Sequence, residues 1–240
     1  MGIVNEQSGT RIDEISDGIY RISTPVRDIA AGFSFNQFLL AGDQPMLFHT
    51  GPKRMRPLVQ DAIASVIDVK DLRYIGFSHN ESDECGSLNE FLTLAPAAAP
   101  LCGRVNAMLN GDCFDRPAHA LADGETLALG KYRLRWFDTP HLPHAWECGY
   151  LMEETTGTLL CGDLFTQGGA DLPPLVSSDI LEPSEAFRHQ MDYYSHTRNV
   201  RSLISRLAAA QPSVLACMHG SAWQGDGGQL LTALGERLDS

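Results

Sequence analysis

Four times in this 240-residue chain, a short apolar run stops beside a glycine, a proline or another small residue, next to a side chain able to bind a metal ion. Residues 72–78 lead into His79-Asn80-Glu81-Ser82-Asp83, and later runs end at Thr139-Pro140-His141, Cys161-Gly162-Asp163 and Met218-His219-Gly220. This pattern demands a sheet whose strand ends share one rim, where tight turns hand side chains to a common pocket. His79, Glu81, Asp83, His141, Asp163 and His219 make three imidazoles and three carboxylates. That set is large enough to hold two metal ions, and it carries too much charge to be buried without them. In an extended loop alternate residues project to one side, so His79, Glu81 and Asp83 are expected to converge.

The rest of the chain punctuates in the same way. Strands are expected over 18–24, 33–41 and 45–49. Pro57 then opens a helix whose apolar face is Leu58, Val59, Ala62, Ile63, Val66 and Ile67. A buried strand over 72–78 and a short helix over 86–94 follow. Between 98 and 138 lie another strand, a short helix and a hairpin (125–129 with 132–138) turning at Gly130-Lys131. A second hairpin pairs 148–153 with 158–161. Residues 166–183 form an irregular stretch, a candidate lid or the interface of a homodimer. Helices over 183–194 and 199–210, a strand over 214–217 and a helix over 228–238 complete the series. Strands then helix, repeated twice, predict an α/β sandwich of two mixed sheets with outer helices, built as one domain over 1–240 with its core at about 17–238.

Composition excludes several classes of function. With 18 Lys+Arg against 30 Asp+Glu, the formal charge of −12 disfavours nucleic acid and anionic membranes as partners. No apolar run is long enough to span a bilayer, and residues 1–18 are polar and acidic, unlike an export signal, so a cytoplasmic location is expected. The six cysteines are scattered with no C-x-x-C pair and read as reduced, mostly buried thiols. Tyr193 and Tyr194 are expected in the core or an interface, and His119, His189 and His196 on the surface.

The order His-x-Glu-x-Asp, Thr-Pro-His, Gly-Asp-Leu-Phe and His-Gly resembles the metallo-β-lactamase superfamily, over roughly 17–238. Its hydrolytic branch has His-x-His-x-Asp-His in the first motif. Here Glu81 replaces the second histidine, as in the diiron branch: the lactamase-like domain of flavodiiron proteins and the stand-alone oxygen-binding diiron proteins. The resemblance implies an αββα fold with two iron ions, one held by His79, Glu81 and His141, the other by Asp83 and His219, with Asp163 bridging. Trading imidazole for carboxylate hardens the site and favours iron over zinc. Two residues depart from the relatives: Glu84 stands where most have histidine and can serve as a further donor, and His49 stands where aspartate usually orients a ligand. His144 and Trp146, in the loop after His141, are candidates to line the pocket or handle protons. The implied function is binding, and reduction, of dioxygen or nitric oxide. It would use an external electron donor or act as a sensor, with no flavin and no flavodoxin domain expected in this chain. The alternative is a hydrolase of the same fold, with zinc, manganese or iron, acting on a thioester, lactone or phosphoester.

Overall fold

The computed structural model describes residues 2–29 and 32–239. One sheet has eight strands side by side in chain order: β1 (Gly2–Asn5), β2 (Thr10–Ser16), β3 (Ile19–Val26), β4 (Phe33–Leu40), β5 (Met46–Phe48), β6 (Tyr74–Gly76), β7 (Ala99–Gly103) and β8 (His119–Leu121). Pairing is antiparallel up to β5 and parallel from there to β8. The second sheet contains β9 (Thr126–Leu129), β10 (Tyr132–Asp138), β11 (Gly149–Glu153), β12 (Thr158–Leu160), β13 (Leu175–Val176), β14 (Val214–Ala216) and β15 (Ala222–Gln224), in the order β13-β15-β14-β12-β11-β10-β9. β12 and β14 run parallel, and both expected hairpins form, β9 with β10 and β11 with β12.

The two-residue period of each strand sorts its side chains into layers. Phe38, Leu40, Met46 and Phe48 of the first sheet meet Leu134, Trp136, Leu151 and Leu160 of the second in a central core. Their neighbours in sequence turn outward. Leu39, Leu47 and Ile75 pack under helices α1 (Arg56–Ala64) and α3 (Leu88–Leu94). Between these lies the single turn α2 (Ser82–Cys85), and α4 (Arg104–Asn110) follows β7. On the far side Tyr150, Met152, Leu159 and Leu215 pack with α6 (Val200–Ala209) and α7 (Gly227–Leu238), and α5 (Leu181–Met191) lies alongside. Because these strands are buried on both faces, 149–153 and 158–160 are continuously buried, mostly apolar and without alternation, with Glu153 and Thr158 as their polar members. Each fully buried Leu or Phe contributes about 1.5–3 kcal/mol, so the αββα layering is set by these positions.

Several features differ from the expectation, including two unexpected strands, β8 and β15, and the turn α2. The first sheet begins at Gly2, well before residue 17: Ile12 and Ile15 are buried although the segment is polar overall, and the register shifts between Glu14 and Ser16. Helix α1 ends at Ala64, so Val66 and Ile67 lie beyond it and reach the core from a turn. The 166–183 stretch carries a short strand, β13, paired with β15. No helix among the described residues is long and apolar enough to cross a membrane.

Candidate metal centre

β6, β12 and β14 all end at one rim, and backbone hydrogen bonds tie the segments beyond them together: Gly149 N–H to Ser78 O, Met218 N–H to Gly162 O and Asn36 N–H to Met218 O, each 2.8–2.9 Å. The turns there need glycine. Gly162 has φ +48, and a Cβ on it would meet Tyr150 Cε1 at 2.9 Å. Gly220 has φ +90, and a Cβ would meet Gln167 Cβ at 2.7 Å. These turns aim Asp163 and His219 into the rim.

Here His79, Glu81, Asp83, Asp163 and His219 come together, and His144 joins them; His141 does not. Asp163 stands at the centre. Its Oδ2 lies 3.5 Å from His79 Nε2 and 3.4 Å from His144 Nε2, and its Oδ1 lies 3.4 Å from His219 Nε2. Glu81 Oε1 is 3.2 Å from His144 Nε2 and 3.8 Å from His79 Nε2, and Asp83 Oδ2 is 3.5 Å from His219 Nε2. The cluster thus has two lobes sharing Asp163. The 79–83 segment reaches both, although not as a uniformly extended loop. Glu81 is extended, and from Ser82 the chain winds into α2, so Asp83 and Glu84 approach from successive positions of a helical turn.

His141 lies on the outside of its loop, exposed, with φ +63, and lines a different cavity with Arg188, Tyr194 and His196. The reason is the apolar residue between the two histidines. Leu142 is buried, and its carbonyl accepts the Tyr150 hydroxyl at 2.8 Å. The backbone closes on itself through His141 N–H to Ala145 O, so the residue after Pro143, His144, turns inward. His-Leu-Pro-His contains both histidines beside the same proline, and only the burial of Leu142 distinguishes them.

All three imidazoles are oriented alike. His219 Nδ1–H donates to Ser34 O (2.8 Å) and His144 Nδ1–H to Tyr193 O (3.0 Å). His79 Nδ1–H donates to Ser78 Oγ at 2.9 Å. Each Nε2 is left to face the cluster, the arrangement typical of histidines that bind metals. His49 completes the third of these links. Ser78 N–H and Oγ both point at its Nε2 (3.3 and 3.0 Å), and its Nδ1–H faces Met218 Sδ at 2.9 Å. Burial, only partly offset by the charge of Asp163, lowers the His49 pKa to about 3, so it orients His79 as a neutral relay. Trp146 is exposed and lies outside the lining of the cavity at the cluster.

Burial opposes charge on the three clustered imidazoles, but their carboxylate neighbours outweigh it. Asp163 and Asp83 raise His219 to about 9, Glu84 foremost raises His79, and the hydrogen bond with Glu81 raises His144. Glu81, hydrogen-bonded to His144 and then His79, falls to about 2, and Asp163 is lowered against its burial by His219. Glu84 behaves in the opposite way: burial and then the Asp163 charge push its carboxyl well up.

These residues fit a metal pair. Asp163 Oδ1 and both Glu84 oxygens are buried without a hydrogen-bond partner among the described residues, a costly state that a cation relieves. His79 Nε2 and His144 Nε2 face each other at 2.9 Å, near the roughly 3 Å expected for two imidazoles at right angles on one ion about 2.1 Å away. The cluster opens onto a cavity of about 410 Å³ whose wall includes Phe33, Phe35, Phe187, Met191 and Tyr193. Phe33 stacks on the His219 ring at 4.3 Å. This apolar mouth, built by β4 and α5, carries no motif and was not anticipated from sequence.

The family described as ODP family beta lactamase matches residues 33–220. Putative diflavin flavoprotein A 1 of Thermosynechococcus vestitus is 26% identical over 194 residues, covering 79% of this chain and 34% of its own length. The anaerobic nitric oxide reductase flavorubredoxin of Salmonella arizonae is 27% identical over 220 residues, covering 83% of this chain and 43% of its own. The chain therefore spans well under half the length of these curated relatives. In structure, rubredoxin oxygen:oxidoreductase from Desulfovibrio gigas superposes with a TM-score of 0.80 at 20% identity, over 95% of this chain and 61% of that one. A fragment of putative diflavin flavoprotein A 5 from Nostoc sp. gives 0.81 at 14% identity, over 96% of both.

Proposed function

Because the chain belongs to the ODP family, in the diiron branch of the metallo-β-lactamase superfamily, we propose that the cluster holds two iron ions and binds and reduces dioxygen or nitric oxide. His79, His144, Glu81 and Asp163 hold one ion, and Asp83, His219 and Asp163 the other, with one Asp163 oxygen directed to each lobe. The observation that carries this reading is the donor set itself. Carboxylates stand at 81 and 84 where the hydrolytic branch has imidazoles, and the open side of the cluster is apolar, suited to a small neutral gas. When bound, a ferrous pair supplies one electron from each ion, enough for O₂ + 2 H⁺ + 2 e⁻ → H₂O₂ or 2 NO + 2 H⁺ + 2 e⁻ → N₂O + H₂O.

The protein's own side chains perform the rest. Phe33, Phe35 and Phe187 exclude water from the mouth. The Tyr193 hydroxyl donates to the Asp163 carbonyl (3.1 Å) and its own carbonyl holds His144, so one residue just beyond α5 steadies the shared Asp163 and the His144 lobe. Sustained turnover draws on a separate electron donor, since the pair is spent after one electron from each ion; without such a donor the centre acts as a sensor.

Mixing anaerobically reduced, iron-loaded protein with one equivalent of dioxygen, and separately of nitric oxide, tests this reading. A single stoichiometric change in the visible spectrum is expected, with repeated turnover only after a donor is added. Rapid hydrolysis of a thioester or lactone panel by the zinc-loaded protein, with no spectral response to either gas, would reverse it.

A further inference from the structure

Glu84 is the most deeply buried carboxylate of the cluster. It has no exposed surface, and neither of its oxygens makes a hydrogen bond among the described residues. Its backbone carbonyl is fixed by Thr50 N–H at 2.7 Å, so the residue is pinned from behind while its side chain points forward. Oε2 lies 4.0 Å from His79 Nε2, and a Glu84 oxygen falls within 4.8 Å of donor atoms in both lobes, with His79 and Glu81 on one side and Asp83 and His219 on the other. An ordinary structural carboxylate at this depth would be paired with a cation or with backbone N–H groups. Arg21, the one arginine buried to this extent among the described residues, lies elsewhere, bonded to Gly220 O.

We propose that Glu84 is itself a metal ligand, and that it makes the two ion positions chemically unequal. This rests on the two-ion reading above and adds to it. The position at Asp83 and His219 gains a third carboxylate and becomes Asp83, Glu84, Asp163 and a single imidazole. The other position has two imidazoles, His79 and His144, with Glu81 and Asp163. Carboxylate-rich sites suit harder ions such as Mn(II), and imidazoles suit Fe, Co and Zn. The Asp83–Glu84–His219 position therefore takes up Mn(II) first, and a mixed manganese–iron pair forms when both metals are offered. With four carboxylates in all, two divalent ions leave the centre neutral, so the fully loaded divalent state is the one the buried site accommodates without uncompensated charge.

The test is anaerobic titration of the metal-free full chain with Mn(II), followed by electron paramagnetic resonance, together with metal content after loading with equal Mn(II) and Fe(II). The first Mn(II) should show coupling to one imidazole nitrogen and not two, and mixed loading should give one ion of each kind per chain. Glu84→Gln keeps the shape and removes the charge. It should weaken the first Mn(II) by at least roughly tenfold, the lower bound seen when even an outer partner of a ligand is lost, and bring mixed loading closer to random. Glu84→Asp, which keeps the charge but retracts it by one methylene, should fall in between, and the thermal midpoint of each metal-free variant checks its folding. If wild type and Glu84→Gln bind two ions with the same affinities and spectra, Glu84 is merely a protonated neighbour of Asp83 and the inference fails while the two-ion reading stands. If wild type binds fewer than two ions, both fail.

Discussion

The 77–86 segment and the 139–148 loop both deliver proposed donors to one cluster, by different means. In the first, His79, Glu81, Asp83 and Glu84 fall within six residues, and a single helical turn spreads them across both lobes. Their placement depends mainly on local backbone, on the end of β6 and on the anchor of Glu84 O to Thr50. In the second, His144 is the one donor, and distant residues place it. Tyr150 holds the Leu142 carbonyl, Ser195 N–H holds that of Pro143, and Tyr193 O receives the His144 ring. A cluster built this way has a locally encoded half and a half that exists only once β11 and the end of α5 have packed. Changes in β11 or just beyond α5 should therefore affect the His144 lobe before the Asp83–His219 lobe, whose His219 is held separately from β4 through Ser34.

The largest effect should come from the residue that belongs to both halves. Asp163→Ala removes the oxygens facing all three imidazoles, and metal content should drop from two ions to fewer than one per chain, read by elemental analysis. One fully occupied ion in that variant would remove the bridging role. Next, His144→Ala should weaken the His79-side ion at least roughly tenfold to a hundredfold, while His141→Ala leaves metal binding unchanged; the reverse ranking would restore the expectation drawn from the Thr-Pro-His motif. Acidity comes third. His219 is raised to about 9 by Asp163 and Asp83 against its burial, so below that pH an incoming ion must displace its proton. Apparent affinity should climb as pH rises and level off near 9, in competition titrations with a chelator. An affinity flat from pH 6 to 9 would mean these imidazoles are not ligands. Smallest, Tyr150→Phe removes the shortest of three hydrogen bonds to the buried Leu142 carbonyl and leaves those from Cys148 Sγ (3.2 Å) and Thr139 Oγ1 (3.4 Å), at a cost of about 0.5–1.5 kcal/mol. It should loosen the His144-side ion and leave the Asp83–His219 ion untouched. Equal weakening of both would erase the distinction between the two regions.

Legibility in the sequence follows the same division. The layered fold was readable because Gly130-Lys131 and Thr155-Thr156-Gly157 mark hairpin turns, and because apolar runs end at glycine or proline. Six of the seven proposed donors were readable for the same reason: each lies three residues beyond the end of a strand or in the short segment after β6. His144 was not, because His141 and His144 have near-identical local surroundings and the choice is made by Leu142 burying against Tyr150, a contact between residues that composition alone does not pair. The helical turn at Ser82 was hidden because Ser82-Asp83-Glu84-Cys85 is too short for a periodic signal. β2 is masked by Arg11, Asp13 and Glu14, which interrupt its apolar residues, and β1 (Gly-Ile-Val-Asn) is too short to carry a strand signal of its own. The apolar mouth joins Phe33 to Phe187, residues from opposite ends of the chain that only the sandwich brings together.

The central claim, a pair of ions divided between two lobes that share Asp163, is tested most directly by anomalous scattering at the iron edge from crystals loaded anaerobically with iron. The account predicts two peaks per chain, one among His79, Glu81, His144 and Asp163 and the other among Asp83, Glu84, Asp163 and His219. A single peak, or density bound to His141, would contradict it.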